Sequence, residues 1–554
     1  MFRKRSPQSG IFESSNLVPH KKAKRLEKSW AEPFRTDALP LIEEERFAPL
    51  YCQDNGRPNQ PVQIVFGTLI LKEMFNLTDE EALEQLEFNL LWQHALCLTP
   101  EEAHLCQKTL HNFRARLMAD DNGRLAFTET TDRIIAAMGL RTERQRLDST
   151  HIISNIAVLT RLGLFCETIR VFLTALGREH PRLSKQVPEK LRGRYIRESG
   201  DATQYQDARS KVARRRLAVC ARDLYRLHSL FRGTAAVGLD EYVLLERLLE
   251  EQCEVVERKA SPRDDDDDAG EGGVAVEVRE PKEVSGDSLQ TPHDPDVTYS
   301  GHKGKGYEVQ VTETCHEENV VEMITHVEVT NACESDADAT LAMLDELEER
   351  GQQPEELVAD TAYGSGNNAV DAECMGTELV SPVGGKSVEQ EDLSADDRAL
   401  TAADFRVDVS HGRPTVCPAG HESIEESEKA GSPNRIEITF ARATCETCRE
   451  YERCPARFSA ARDGYVLSGD LVAYNLERRR RAEASGEFAA RYAIRAGIEA
   501  TNSELKRKHG LGKLRVRGRP RVELSVYLKA LSCNLKRMVR VLLAEMSLPA
   551  AAKV

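Results

Sequence analysis

Five consecutive aspartates, Asp264–Asp268, are the feature of this sequence that most restricts how the chain can fold. Adjacent carboxylates repel one another and offer no apolar surface, so this run cannot lie inside a core. Its surroundings are acidic too, since residues 261–290 contain 10 Asp/Glu against 3 Lys/Arg. We therefore predict a disordered acidic linker over 261–296, which separates an earlier part of the chain from a later one.

Charge is distributed unevenly along the 554 residues, whose net charge is −15. Residues 475–554 contain 19 Lys/Arg against 7 Asp/Glu, and residues 1–36 contain 9 against 3. Two basic ends around an acidic middle favour an anionic polymer as a partner, although ordinary solvated surface gives the same pattern. The length allows roughly two to four domains.

Cysteine usage and hydropathy indicate the compartment. The 14 cysteines are mostly scattered, which is typical of a reduced cytoplasmic protein and not of a disulfide scaffold. The basic start of the sequence is followed by no apolar run, and the most apolar stretch, Val62–Phe75, contains Gln63 and Lys72. We therefore expect neither a signal peptide nor a membrane span.

Helical patterns dominate the chain before the acidic run. Residues 1–40 are polar and basic, and we predict that they are flexible. Thr78–Glu81 and Thr99–Glu102 are capping boxes, which indicate helix starts inside a helical domain over 41–140. Residues 151–260 are rich in Leu and Arg and predict a helical insertion.

Strand patterns appear on both sides of that insertion. The segments with the pattern of short strands are Arg146–Thr150, Tyr307–Val311, Met323–Val329 and Glu356–Asp360. A helix capped by Ser335 separates the last two segments. A hairpin followed by a strand–helix–strand crossover argues for a mixed α/β sheet.

A C-terminal helix carries four polar side chains on one face. At about 100° per residue, a sector of roughly 60° contains Tyr492, Arg495, Glu499 and Lys506. Apolar residues, among them Ile498 and Leu505, lie on the opposite side. By itself this pattern is typical of an amphipathic helix with a solvated, salt-bridging face.

Two aspartates at predicted strand ends, Asp148 and Asp360, give the acid on this helix a second interpretation. Carboxylates are hard oxygen ligands, and phosphodiester chemistry is commonly run by two Mg²⁺ ions about 4 Å apart. Three converging carboxylates repel one another without such cations. A single Asp after a strand is also typical of a turn, so the hypothesis depends on all three acids converging.

The spacing of the four polar residues resembles the Tyr-Arg-Glu-Lys signature of DDE transposases of bacterial insertion sequences. All four signature residues match at the expected spacings. Leu147–Thr150 resembles the first Asp motif of that family, Val358–Ser365 resembles the second, and Tyr299–Tyr307 resembles the strand between them. Gly56–Arg114 is similar to the helical N-terminal domain of these transposases, which implies that the helical domain over 41–140 binds DNA.

This resemblance implies an α/β fold with a ribonuclease-H-like mixed sheet and helices, preceded by an all-α domain. The catalytic domain then covers 141–384 and 476–554. It is interrupted by the helical insertion and by a small Cys-rich, zinc-ribbon-like insertion over 385–475. The implied reaction is Mg²⁺-dependent cleavage at the ends of the element, followed by strand transfer into target DNA.

The resemblance also implies roles for single residues. Asp148, Asp360 and Glu499 are implied to be catalytic and to bind two Mg²⁺ ions, for which Mn²⁺ can substitute. The side chains implied to contact double-stranded DNA at the terminal inverted repeats are Tyr492, Arg495 and Lys506. A homodimer in the DNA complex and a bacterial or archaeal cytoplasm are expected by analogy. Two alternatives stay open: a domesticated, non-catalytic DNA-binding protein, and a zinc-ribbon DNA-binding regulator.

Four cysteines in the Cys-rich insertion have the spacing of metal ligands. Cys445 and Cys448 form a Cys-x2-Cys pair, which presents two thiolates to one metal, and Cys417 and Cys454 complete a tetrahedral set. His421 is an alternative fourth ligand. We predict one structural Zn²⁺ here, and free thiols in a loop are the alternative.

A basic run follows the C-terminal helix. Its side chains suit phosphate neutralisation, which gives strong and salt-sensitive DNA binding, whereas a solvated basic loop is the alternative. The candidate DNA-binding residues of this run are Arg507, Lys508, Lys513, Arg515 and Arg517.

Overall fold

The five aspartates lie outside the residues that the structure describes. That structure is a computed structural model, and it describes residues 2–5, 13–14, 16–52, 58–197, 201–207, 209–257, 274–384, 398–408, 413–429, 432–484 and 486–547. Within these ranges, every helix is either too short or too polar to cross a membrane.

Helices make up the region before the first strand, with short helical turns between residues 31 and 50. The helices are α1 (His20–Leu26), α2 (Val62–Met74), α3 (Asp79–Phe88), α4 (Leu90–Ala95), α5 (Gln107–Leu117) and α6 (Asn122–Met138). Thr78 caps α3 through the predicted capping box. The box at Thr99 also forms, since the Glu102 amide donates to Thr99 Oγ1 over 3.2 Å, but only turns follow it before α5. Leu105, which lies between these turns and α5, is buried in the core.

The predicted flexible N-terminus contributes aromatic side chains to the core. The Trp30 ring lies 6.2 Å from the Phe34 ring and 5.2 Å from the Phe75 ring, measured between centroids, and Phe34 is fully buried. The prediction of flexibility over 1–40 is therefore wrong for this segment. The prediction relied on the polar composition of residues 1–40. It missed the few apolar residues of this segment that pack into the core.

A helical insertion follows strand β1 (Arg144–Ile152). Its helices are α7 (Arg161–Glu179), α8 (Pro181–Ser184), α9 (Glu189–Tyr195), α10 (Ser210–Phe231) and α11 (Asp240–Gln252). These helices have a core of their own, which includes Phe172, Leu224 and Leu245. The insertion therefore packs as a unit beside the sheet from which it emerges.

The insertion closes with a two-stranded antiparallel sheet, formed by β2 (Cys253–Glu257) and β3 (Val274–Val278). The residues after β3 are packed as well. Asp294 is fully buried and accepts hydrogen bonds from Ser154 Oγ at 2.5 Å and from Tyr307 Oη at 2.7 Å. The predicted disordered linker over 261–296 is therefore wrong over 274–296, because buried hydroxyl donors satisfy the acidic side chain there.

The main sheet contains β1 and five further strands: β4 (Thr298–Ser300), β5 (Gly304–Thr314), β6 (Ile324–Asn331), β7 (Glu356–Ala359) and β8 (Glu378–Val380). β5 pairs antiparallel with β1 on one side and with β4 and β6 on the other. β1 pairs parallel with β7, and β7 pairs parallel with β8. The crossover helices are α12 (Ala339–Glu349) and α13 (Gly366–Cys374). The prediction of a ribonuclease-H-like mixed sheet with helices after a helical N-terminal region is confirmed.

The Cys-rich segment forms a four-stranded antiparallel sheet and leads into the C-terminal helices. Its described strands, and a short helix between two of them, are β9 (Glu425–Lys429), β10 (Ser432–Ala441), α14 (Arg442–Cys445), β11 (Arg457–Ser459) and β12 (Gly464–Asp470). The helices that follow are α15 (Leu471–Glu483), α16 (Gly486–Tyr492), α17 (Gly497–Lys508) and α18 (Arg519–Met546).

The N-terminal helices and the main sheet share one hydrophobic core. Tyr307, Val309 and Val311 of β5, whose alternation predicted a strand, are fully buried in the same cluster as residues of α2 and α6. α18 contributes to this cluster along much of its length, from Val522 to Val539. The main sheet and α18 therefore pack on the N-terminal helices, which have no separate core of their own among the described residues.

Candidate active site

The pairing of β1 with β7 brings Asp148 and Asp360 side by side. The parallel register ends with Leu147 opposite Ala359, so the two aspartates are the next residues of their chains. Asp148 lies in the middle of β1, opposite Val311 of β5, and not at a strand end as predicted. β1 is longer than predicted because β5 continues to pair with it after β7 has ended.

One guanidinium contacts all three predicted catalytic acids. Arg495 Nη2 lies 3.0 Å from Asp148 Oδ1 and 3.8 Å from Asp360 Oδ2. Arg495 Nη1 lies 3.0 Å from Glu499 Oε1. Asn502 Nδ2 also donates to Asp148, over 3.1 Å. The acid of β1, the acid that follows β7 and the acid of α17 thus surround the Arg495 guanidinium.

The three carboxylates differ in their environment. Their side chains are 14% exposed at Asp148, 38% at Asp360 and 66% at Glu499. Burial raises the pKa of Asp148, Arg495 opposes that rise, and Asp360 adds to it. These hard oxygen donors fit divalent cations, because added positive charge favours the ionised form of each acid.

The helix of the third acid is interrupted. α16 ends at Tyr492, a 3₁₀ turn covers Ala493–Ala496, and α17 follows. The predicted apolar face is confirmed within α17, where Ile498 and Leu505 are buried. Tyr492 precedes the interruption and stacks on Phe488 with ring centroids 5.7 Å apart. Burial raises the pKa of Tyr492, Arg495 opposes that rise, and Asp360, Asp148 and Glu499 add to it, so its hydroxyl lies on the side of the three acids.

Arg146 holds this interruption against the sheet. Its Nη1 donates to the Ile494 carbonyl over 2.9 Å, which takes a carbonyl that a continuous helix would pair internally. A Cβ atom at Gly497 would lie 2.0 Å from the same guanidinium, so a larger residue at the start of α17 would displace Arg146 from this contact. The sequence spacing alone does not reveal this contact.

Glu313 of β5 is the buried partner of that arginine. Its Oε1 lies 2.6 Å from Arg146 Nη2, its Oε2 lies 3.1 Å from Arg537 Nη1, and its side chain is 0% exposed. Thr501 of α17 donates to Glu313 Oε2 over 2.6 Å. Arg146 and Glu313 lie opposite each other on β1 and β5. The pair can be predicted from the sequence only if the register of these two strands is known. This network fixes α17 and α18 to β1 and β5.

A second cation borders β1 beside the acids. Lys303 Nζ donates to Ser149 Oγ over 3.1 Å and pairs with the buried Glu308. Ser149 in turn donates to Asp336 over 3.1 Å. Lys303 belongs to the Tyr299–Tyr307 motif, but its position next to the strand of Asp148 depends on the β1–β5 register.

The predicted DNA-binding cations have different surroundings. Burial lowers the pKa of Lys506, which lies near Glu308 and is partly buried. Arg515 donates to the carbonyls of Leu77 over 2.6 Å and Asn76 over 3.0 Å, so it ties the basic run to the N-terminal helices. The side chains of the run that are exposed and have no such contact to the N-terminal helices are Arg507, Lys508, Lys513 and Arg517.

The four predicted zinc ligands lie in one small region. Burial is the largest cause that raises the pKa of Cys445 to about 11, and the thiols of Cys454, Cys448 and Cys417 raise it further. The His421 amide donates to Cys417 Sγ over 3.4 Å in a tight turn. Within the described chain, these sulfurs do not form a group of three within 4.8 Å of one another. Thiolates are ligands that zinc prefers, so the donor types, though not these distances, suit a zinc site.

Glu504, His509 and Cys533 do place ligand atoms within 4.8 Å of one another. Burial lowers the pKa of His509 to about 4, so its imidazole is neutral. However, Glu504 pairs with Arg537 at 3.2 Å and Arg540 at 3.5 Å. These two cations oppose a divalent ion, so we interpret the group as polar packing beneath α17.

Two family models match the chain. Residues 416–539 match the family described as Transposase DDE domain, and residues 34–116 match the family described as Transposase domain (DUF772). The first match includes the Cys-rich sheet, Arg495 and Glu499, whereas Asp148 and Asp360 lie outside it. No curated protein and no solved structure has a significant match to the chain.

Proposed function

We propose that this chain, which carries a transposase DDE domain and a transposase N-terminal domain, cuts DNA at the ends of an insertion sequence and joins those ends to target DNA. The observation that carries the proposal is the contact of one guanidinium with the acids of β1, β7 and α17. Three hard ligands around one point are what a two-metal centre for phosphodiester chemistry requires.

In this proposal, Asp148, Asp360 and Glu499 hold two Mg²⁺ ions, for which Mn²⁺ can substitute. When bound, such ions activate the attacking water or 3′-hydroxyl and stabilise the leaving oxygen. Asp148 is held rigidly, since it lies on a central strand and accepts from Asn502. Glu499 is largely exposed, so it can adjust its position as DNA and cations enter.

DNA recognition is proposed to follow the same helices. Arg495 would turn from the carboxylates to a phosphate, which its planar fork can bind through two hydrogen bonds. The other side chains proposed to contact the transposon end are Tyr492, Lys506, Arg507, Lys508, Lys513 and Arg517. A homodimer would hold two ends together, since joining both ends to one target requires their synapsis.

Replacing Arg495 by Ala should strengthen Mn²⁺ binding by about tenfold, because the guanidinium competes with metal ions for the three carboxylates. Mn²⁺ titration followed by electron paramagnetic resonance measures this affinity without any turnover. Arg491→Ala is the matched control, because Arg491 pairs instead with Glu356 and Glu378. Unchanged or weaker Mn²⁺ binding in Arg495→Ala would contradict the proposal that the guanidinium and the metal ions occupy the same place between the three carboxylates.

The proposed reaction is tested with linear DNA fragments that carry the DNA flanking this gene. We expect the purified protein to nick these fragments and join them to a plasmid in Mg²⁺, and not in EDTA. A domesticated DNA-binding protein would bind the fragments without cutting them. A zinc-ribbon regulator would lose DNA binding in Cys445→Ser and keep all activity in Asp360→Ala.

We also propose that Cys417, Cys445, Cys448 and Cys454 hold one structural zinc ion. Cys445→Ser should then reduce the bound zinc from about one equivalent to nearly none and speed proteolysis of the Cys-rich sheet. Elemental analysis of the dialysed protein measures the zinc. The exposed Cys106 is a control, because Cys106→Ser leaves the four thiols intact. Equal zinc content in both variants would overturn this proposal.

A further inference from the structure

Helix α10 of the helical insertion presents a cationic face that the proposed reaction does not use. We propose that this face binds the phosphate backbone of duplex DNA. The inference takes from the proposed function only that DNA is the partner. It adds a second contact surface, on an element that lies in the chain between β1 and β5.

Two opposite faces define α10. One face is core, where Cys220, Leu224, Leu227 and Phe231 are fully buried. At about 100° per residue, a sector of roughly 120° on the other side contains Lys211, Arg214, Arg215, Arg222 and Arg226. Five cations therefore lie along one stripe that points away from the core of the insertion.

The first three cations of the stripe are available to a ligand. Lys211, Arg214 and Arg215 are exposed, and no carboxylate among the described residues pairs with them. Arg182 and Lys185, at α8, are exposed in the same way. A protein usually pairs or intersperses surface charges of both signs. Unpaired cations concentrated on one element favour an anionic ligand over a merely solvated face.

Positive charge is concentrated in the part of the insertion that contains α10. Residues 181–232 contain 14 Lys/Arg against 5 Asp/Glu, although the chain as a whole has a net charge of −15. The next element has the opposite composition, since residues 240–257 contain 7 Asp/Glu against 1 Lys/Arg. Basic residues are thus concentrated around α8, α9 and α10, whereas α11 is mostly acidic.

The available part of the stripe suits a duplex. Lys211 and Arg215 are four positions apart, which corresponds to about 6 Å along a helix. A duplex presents about one phosphate charge per 1.7 Å of its axis, so the three available cations face several phosphates. Lys305 of β5 donates to the Leu159 carbonyl over 2.9 Å and fixes the root of the insertion to the catalytic sheet. DNA held on α10 is therefore anchored to the sheet that carries Asp148.

A charge-loss triple variant tests the proposal. Its substitutions are Lys211→Ala, Arg214→Ala and Arg215→Ala, and a control with the same loss of charge at dispersed exposed sites combines Arg178→Ala, Lys282→Ala and Arg449→Ala. Fluorescence anisotropy with a random-sequence duplex of about 40 base pairs gives the Kd and its salt dependence, in EDTA so that no cleavage occurs. We expect the stripe variant to bind about tenfold or more weakly, with a salt slope reduced by about 2 to 3, and the control to bind like the wild type.

Equal Kd and salt slope in the stripe variant and the control would overturn the proposal. Lysine acetylation of the wild-type protein gives a second measurement that needs no variant. Bound duplex should protect Lys185 and Lys211 and leave Lys282 reactive, whereas equal reactivity with and without DNA would contradict the surface. Both readouts are independent of catalysis. If the protein joins DNA but its lysines are not protected, the proposed surface is rejected and the proposed reaction stands. If the lysines are protected but no DNA is joined, the proposed reaction is rejected and the surface stands.

Discussion

Asp148→Asn should reduce Mg²⁺-dependent DNA cleavage by about 10³-fold or more while leaving the fold at least as stable as that of the wild type at neutral pH. A metal ligand in a two-metal centre supports several kcal/mol of transition-state stabilisation, and each 1.4 kcal/mol corresponds to about a factor of ten in rate. The side chain is also a buried charge. Because folding raises the pKa of Asp148, its ionisation at neutral pH opposes folding.

The pH dependence of stability provides the sign of this effect. A carboxyl group whose pKa is raised by folding contributes fully to the free energy of unfolding at a pH below its pKa in the unfolded state. It loses that contribution as the pH rises through its pKa in the folded state. The melting temperature of Asp148→Asn relative to wild type should therefore increase as the pH rises from acid to neutral. The exposed Asp371 serves as the control, since Asp371→Asn should change neither cleavage nor melting. Normal cleavage by Asp148→Asn would contradict the assignment of this acid.

Glu313→Gln should lower the free energy of unfolding by about 3–5 kcal/mol, because it removes the fully buried carboxylate that pairs with the guanidinia of both Arg146 and Arg537. Cleavage should fall as well, since Glu313 also accepts from Thr501 and so holds the helix of Glu499 against the sheet. Urea denaturation followed by circular dichroism measures the change in stability.

The matched control for this substitution is Glu317→Gln. Glu317 is 80% exposed and lies 3.8 Å from Arg144, so its loss should cost at most about 1 kcal/mol. Similar unfolding curves for the two variants would show that the Glu313 network does not position α17.

Much of the site was predictable from short segments of sequence. The spacing from Arg495 to Glu499 is set by one helical turn, and the ion pair between them follows from that local geometry. The apolar face with Ile498 and Leu505 is also a property of a single helix, and it is buried as predicted. Such patterns can be predicted from the sequence because they depend only on residues close together in the chain.

Properties that depend on register between distant segments were not predictable. Asp148 was expected at a strand end, but β5 pairs past it and extends the strand. The contacts of Arg146 with Glu313 and with the Ile494 carbonyl join segments more than 160 residues apart, and they also interrupt the helix before Glu499. The acidic composition around Asp294 predicted disorder. Composition does not reveal that Ser154 and Tyr307, which are distant in sequence, donate hydrogen bonds to this side chain.

Strand joining by Glu499→Gln is the most direct measurement of whether the three acids form one metal centre. The assay uses DNA that flanks the gene, in Mg²⁺, with Glu487→Gln as a control on the neighbouring exposed helix α16. We predict that wild type and Glu487→Gln join this DNA to a target plasmid, and that Glu499→Gln binds it without joining. Joining by Glu499→Gln at the wild-type rate would contradict the proposed centre.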